Sequence, residues 1–187
     1  MAINYKRCPK CNTTHTGVIR YGEPCMSYPV DENVRFDGCC YSPESPYYFC
    51  HECGYEWNKE EAIVSAYSNI EVITVSIGGY WEGTFTVEIN LVNRALKWHH
   101  LFPGEERSYE KSLRILTVEK FMVAMQEIGL LNWKNQYVDH DILDGTQWSI
   151  EIKMTNKSVR KHGSNAFPKE WDRFVKEIKK VSGKPFY

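Results

Sequence analysis

Two cysteine pairs carry the clearest chemistry in this chain: Cys8-Pro-Lys-Cys11 and Cys50-His-Glu-Cys53. Two residues between cysteines let the backbone curl until both sulfurs face one point. N–H groups inside and just after the turn can then donate to the sulfurs. The residue after the second cysteine favours a positive φ, which Gly54 adopts freely and Asn12 tolerates better than most types. Pro9 pre-sets φ in the first turn. Four thiolates in a tetrahedron suit Zn2+. Cys8, Cys11, Cys50 and Cys53 are therefore predicted to hold one Zn2+. Four sulfurs leave no open coordination position, so the expected role is structural and not catalytic. A thioredoxin-like redox centre needs only one such pair, next to a βαβ pattern that is missing here.

The other three cysteines, Cys25, Cys39 and Cys40, bring the count to seven. An odd number argues against a disulfide framework and for metal chemistry in a reducing compartment. No helix N-terminus or basic cluster is evident to activate Cys39 or Cys40 as a thiol. We read the three as small buried hydrophobes, the usual fate of free cysteine. His51, inside the second pair, reads as solvent-facing and not as a ligand. The N-terminal MAINYKRCPK lacks the apolar stretch of a signal peptide. Apolar runs are too short and interrupted for a membrane-spanning helix. The expectation is a cytoplasmic protein with no membrane partner.

A minimal zinc ribbon separates its cysteine pairs by about 15–20 residues. Here Asn12 to Phe49 intervene. TGVIRY, YYFC and GYEW read as ribbon strands, and the stretch between the first two reads as a loop rich in Pro, Ser and acidic residues. The order CPKC, then Tyr21-Gly22-Glu23-Pro24, then Asp37-Gly38-Cys39, then Cys53-Gly54-Tyr55-Glu56-Trp57 resembles a widespread group of bacterial zinc-ribbon proteins. That group has a Gly-Gly-Cys stretch where this chain has Asp37-Gly38-Cys39. The later DGTQWSIEI and HGSNAFPKEWDRF are similar to a segment that recurs in bacterial proteins. The two resemblances cover about half the chain. They imply a zinc ribbon and a bacterial or phage-like origin, and they imply no activity.

The elements that must carry these residues follow from length and pattern. A chain of 187 residues fits one medium domain or two small ones, and 42% hydrophobic with 14% aromatic residues can fill a core even if split. The pattern predicts a zinc ribbon over 1–60 and an α+β domain over 61–187. Asn58 is a plausible N-cap for NKEEAIVSAYSN. IEVITVSI, TFTVEINLV and ALKWHHL alternate and predict a three-stranded antiparallel meander around the GGYWEG turn. Thr117 can cap a helix from Val118, with Phe121, Met122, Met125 and Ile128 as its stripe and Gly129 as its stop. Trp148, Ile150 and Ile152 alternate into a strand, with SVRKH as its hairpin partner. A closing helix starts near Pro168, with Trp171, Phe174, Val175, Ile178 and Val181 inward and Gly183 as its end. The predicted order is βββ-α-ββ-α: an antiparallel sheet with helices on one face.

Two further stretches invite a functional reading. Asp139-His140-Asp141 with Asp144 can hold a hard cation, but reads better as a polar loop before a strand. His162, Gly163, Ser164 and Asn165 form a candidate binding loop ahead of a helix N-terminus, and an ordinary strand-to-helix connection explains them as well. His99 and His100 alternate to opposite faces, so they are poor joint ligands. No P-loop, dinucleotide fingerprint, nucleophile elbow or HExxH occurs. A net charge of −1 gives no argument for bulk attraction to nucleic acid or an anionic membrane. Ten Lys or Arg against four Asp or Glu from Glu151 onward leave a basic C-terminal segment. The expected function is a zinc-stabilised, non-enzymatic adaptor for a protein partner. Nucleic-acid binding through the basic segment is the alternative, and an enzyme would require the two polar loops to converge.

Overall fold

A computed structural model describes residues 3–22, 31–79, 83–142 and 145–187. Cys25, Glu23 and Pro24 of the YG-x-P stretch, the middle of the GGYWEG turn and Asp144 lie outside the described residues. The chain divides into two units, Ile3–Ser68 and Asn69–Tyr187. It is mixed α+β, with three helices and two sheets.

In the first unit the expected ribbon strands are present as β1 (Thr16–Tyr21), β3 (Tyr48–Cys50) and β4 (Glu56–Trp57). A fourth strand, β2 (Val34–Asp37), lies inside the stretch read as loop and pairs parallel to β1, from Val18 opposite Val34 to Tyr21 opposite Asp37. Sheet order is β2-β1-β3-β4. Strand β2 is a four-residue edge, exposed at three of its positions. It buries no face of its own, so local alternation could not announce it. Helix α1 (Lys59–Ser68) belongs to this unit and not to the domain that follows. Its start is a reciprocal cap: Glu61 N–H donates to Asn58 Oδ1, and Asn58 N–H donates to the Glu61 carboxylate, each at 2.9 Å.

The second unit is built on a seven-stranded sheet in the order β8-β7-β6-β5-β10-β11-β9. The meander comprises β5 (Ile70–Gly79), β6 (Gly83–Asn90) and β7 (Ala95–Phe102). It continues into β8 (Glu105–Ser112), a strand the sequence reading missed. Seven of the eight residues of β8 are exposed, so neither face carries an apolar signal. Its backbone ladder to β7 holds it, from Ala95 opposite Ser112 to Phe102 opposite Glu105, and its charges discourage edge-to-edge pairing with another chain. Strands β10 (Gln147–Met154) and β11 (Lys157–Ser164) form the expected hairpin. The three-residue β9 (Gln136–Val138) adds to β11 in parallel, which corrects the expectation of a wholly antiparallel sheet.

Residues directly opposite one another across the ladders share a face. Ile73, Val75, Ile77, Val87, Ile89, Leu96, Trp98, Trp148, Ile150 and Ile152 thus line one face, and all are buried. Helix α2 (Ile115–Ile128) begins earlier than Thr117; Arg114 is its N-cap and makes no side-chain cap bond. It ends as expected at Gly129, whose φ of 69° is left-handed. Helix α3 (Trp171–Ser182) buries Trp171, Phe174, Val175, Ile178 and Val181, the stripe read from sequence. Trp171 packs on Trp148 at 4.7 Å between ring centroids, and Phe167 packs on Trp171 at 5.2 Å. The tail beyond α3 closes over the meander, where Trp98 Nε1–H donates to Pro185 O at 2.7 Å.

One cation interrupts this apolar face. Lys161 on β11 stands opposite Ile150 and is fully buried. Its ammonium donates to the carbonyls of Leu131 (3.3 Å) and Trp133 (2.5 Å) at the end of the 3-10 turn Leu130–Asn132. Those carbonyls have left the helical ladder, and the lysine occupies the place a C-terminal cap would take. Burial holds its pKa below the ordinary 10.5. A base with a depressed folded pKa contributes stability that is complete above the unfolded value and is lost as pH falls through the folded one. The stability of the native chain relative to Lys161→Met is therefore expected to rise with pH below the ordinary lysine value of 10.5 and to level off above it. Urea unfolding followed by tryptophan fluorescence reads that trend. A difference flat with pH would show an ordinary amine.

Candidate metal centre

The two cysteine turns are built alike. Cys8 N–H donates to Thr13 O, and Asn12 N–H returns to Cys8 O, both at 3.0 Å. In the second turn Cys50 N–H donates to Tyr55 O (2.9 Å), and Gly54 N–H returns to Cys50 O (3.0 Å). Asn12 and Gly54 have φ of 63° and 67°, the left-handed geometry the spacing required. Strand β3 delivers Cys50 at its last residue, opposite Thr16 of β1, so the sheet brings the second turn beside the first.

Four sulfurs meet there. The Sγ atoms of Cys8, Cys11, Cys50 and Cys53 all lie within 4.8 Å of one another. Cys8 and Cys53 are 3.7 Å apart, and Cys11 and Cys50 are 3.4 Å apart. A tetrahedron with metal–sulfur bonds of about 2.3 Å has edges of about 3.8 Å. The set is close enough to hold one metal ion. Among the described residues no other group of three or more Cys, His, Asp or Glu gathers in this way.

Cys11, Cys50 and Cys53 differ in how readily they ionise. At Cys50, burial pushes the thiol up, but the amides of Cys53 and Glu52 and the Cys11 thiol together bring it down to about 7. At Cys11 the Thr13 amide pulls down, while burial and the thiols of Cys50, Cys53 and Cys8 push up, and the balance is about 12. Cys53 is also raised; the Tyr55 amide opposes burial and its Cys50 neighbour. Four adjacent sulfurs therefore do not ionise together on their own. A divalent cation among them supplies the charge that lets all four become thiolates.

What surrounds the sulfurs is small. Cys8, Cys50, Trp57 and Ala62 form a buried cluster, with Tyr5, Tyr48, Cys53 and Tyr55 partly buried against it. Trp57 is fully buried, donates from its indole to Tyr5 O (2.9 Å) and lies between the rings of Tyr48 and Tyr55. His51 is exposed, as expected, and stacks on His15 at 4.5 Å. His15 also meets Glu52 at 2.9 Å, an exposed contact of little energetic weight.

Cys39 and Cys40 do not behave as read. Both are exposed and not buried. They sit in the connection after β2, which runs over the surface and is held by its tyrosines. Tyr21 donates to Pro46 O, and the hydroxyls of Tyr41 and Tyr47 bond each other.

The two polar stretches do converge. The β9–β11 pairing sets Val138 opposite Ser164, and Asp139 N–H donates to Ser164 O at 3.0 Å. The side chains there serve the backbone: Asp139 Oδ1 accepts from Asp141 N–H, and Asn165 Nδ2 donates to Ile142 O. His162, Gly163 and Ser164 belong to β11 and not to a loop, because β9 supplies a ladder the sequence reading lacked. Asn165 follows in the left-handed region at φ 56°. Gly163 makes room for an indole. A Cβ there would lie 2.2 Å from Trp148 Nε1, which donates to Ala166 O, and 2.6 Å from that carbonyl. His99 and His100 face opposite ways, the first on Glu106, the second stacked on Phe85 at 4.0 Å.

In the basic C-terminal segment Lys153, Lys157, Lys169, Lys176 and Lys179 are exposed, and the other five cations are engaged. Lys161 is buried, Arg160 pairs with Glu151, Arg173 with Glu127, Lys180 with Glu177, and Lys184 lies over Tyr109. No helix among the described residues is long and apolar enough to cross a membrane. No protein-family model matches the chain, and no curated protein matches it.

Two substitutions test this account. Cys11→Ser, which removes one of the four sulfurs, is expected to abolish tight metal binding at this site and to unfold the unit Ile3–Ser68. The unit Asn69–Tyr187 should keep its own unfolding transition. Metal analysis with amide exchange reads both. Gly163→Ala, which drives a methyl into the Trp148 indole and a carbonyl, should destabilise the second unit by about 1–3 kcal/mol in denaturant unfolding.

Proposed function

We propose that this protein is a zinc-stabilised binding protein. One structural Zn2+ held by Cys8, Cys11, Cys50 and Cys53 organises an N-terminal zinc ribbon, and that ribbon offers a rigid surface to a protein partner. The closed all-sulfur tetrad carries the reading. Four cysteines and no histidine or carboxylate favour zinc over harder cations. A full sulfur shell gives the ion no place for substrate, so its work is scaffolding. The free energy of such sites, about 10–16 kcal/mol, outweighs what a core of four buried residues provides.

Aromatic exposure supports a protein partner. Phe36 is 37% and Tyr41 52% exposed on the ribbon. Tyr41 stands in a chain of rings with Tyr21 and Tyr47 at 5.6 and 5.7 Å, braced by the Tyr41–Tyr47 hydroxyl contact. Pre-ordered tyrosines bring contact area at low entropic cost, which suits protein recognition. Nucleic-acid binding through the basic C-terminal segment is the alternative, and the exposed Lys153, Lys157, Lys169, Lys176 and Lys179 are the cations it would use.

A photo-crosslinking residue at Tyr41 tests the reading in host extract. The expected result is a discrete polypeptide adduct that survives about 0.5 M salt, is competed by unlabelled protein and disappears in Cys11→Ser. Retention of DNA or RNA at low salt, lost steeply as salt rises, with no polypeptide adduct, overturns it.

A further inference from the structure

Two sulfurs stand outside the tetrad. Cys39 and Cys40 are neighbours in sequence, both exposed, with their Sγ atoms 3.9 Å apart. Consecutive side chains on an extended backbone point to opposite sides and keep their ends apart. Here the backbone bends at Cys39, and the two Sγ atoms stand close together. The segment is pinned on both flanks. Gly22 N–H donates to Gly38 O at 2.8 Å before it, and Tyr41 bonds Tyr47 after it. Ser42 N–H donates to Ser45 Oγ at 2.9 Å to close the far side. The two thiols are thus presented together to solvent on a braced turn.

We propose that Cys39 and Cys40 form a second thiol site, a vicinal dithiol that captures soft, thiophilic Lewis acids, with trivalent arsenicals as the fitting class. Two sulfurs that share one centre through bonds of about 2.3 Å can be at most about 4.6 Å apart, and 3.9 Å lies inside that reach. Among the described residues the pair is not part of any group of three ligating side chains. That distinguishes it from the tetrad, which offers four sulfurs to an ion that needs four. A two-sulfur site suits a centre that brings its remaining substituent with it. An aryl arsenoxide does so. Two S–H bonds and the arsenic–oxygen bond break, two arsenic–sulfur bonds form, and the oxygen leaves as water with both thiol protons. Arsenic stays trivalent, and no oxidant or reductant is consumed. Exposure permits approach, and proximity lets the second thiol close the ring as an intramolecular step.

Phenylarsine oxide added in equimolar amount to the reduced, metal-replete full chain tests the assignment, with intact-mass analysis and metal content read on the same sample. The expected result is one adduct per chain with the metal of the tetrad retained. Cys39→Ser and Cys40→Ser should each weaken capture by roughly 100-fold or more, since each removes the chelate. Cys25→Ser should leave it unchanged. Retained metal in the two serine variants shows that the fold is intact and that only the dithiol is lost. The proposal is overturned if the adduct persists in either variant, if it forms only with loss of metal from the tetrad, or if none forms at equimolar reagent.

Discussion

The first unit depends on the meeting of two chain turns that are far apart in sequence. Cys8 and Cys11 lie before the sheet begins, and Cys50 and Cys53 sit where β3 gives way to β4. Their sulfurs gather within 4.8 Å, and each turn spends its amides on the sulfurs and on closing itself. The apolar material around that point is one tryptophan, one alanine and a few tyrosine faces. A core this size offsets little of the entropy of ordering a chain segment. Metal coordination is the interaction able to make up the difference. Electrostatics points the same way: the Cys50 thiol is brought down to about 7 while Cys11 and Cys53 are pushed up, and a cation among them would favour all four thiolates.

The second unit solves the same problem by conventional means. One face of a seven-stranded sheet is buried from β7 across to β10, and helix α3 adds an aromatic cluster of Trp133, Trp148, Trp171 and Phe174. The exception is Lys161. Its ammonium replaces what would be an aliphatic side chain opposite Ile150 and donates to the carbonyls of Leu131 and Trp133 at the end of the 3-10 turn. A buried cation is costly unless its donors are used. Here two backbone acceptors use them, and the depressed pKa records the remaining cost.

The polar stretches show how a suggestive sequence acquires a structural purpose. His162–Asn165 and Asp139–Asp141 do meet, through a parallel strand pair that neither stretch reveals alone. Asp139 and Asn165 spend their side chains on the backbone, and Ser164 accepts from Gln147. Gly163 lets the Trp148 indole cross the strand, a demand that comes from packing and not from a ligand. The paired thiols of Cys39 and Cys40 run the other way. They read as small core residues by composition, and the turn that carries them places both in solvent.

The sequence by itself determined the local and the periodic. The Cys-x-x-Cys turns with their left-handed Asn12 and Gly54, the Asn58 cap, the α3 stripe and the Gly129 and Gly183 stops all follow from steric preference and hydrogen bonding over a few residues. Alternation gave β5, β6, β7 and β10 because one of their faces is buried. Only the tertiary structure decided β2, β8 and β9. β2 and β9 are short edges that pair with strands distant in the chain, and β8, although it follows β7 directly, is exposed at seven of its eight positions, so no apolar rhythm marks them. Tertiary structure also placed a lysine in the core and two cysteines on the surface, since burial depends on what the remaining chain brings to a position and not on the residue type found there.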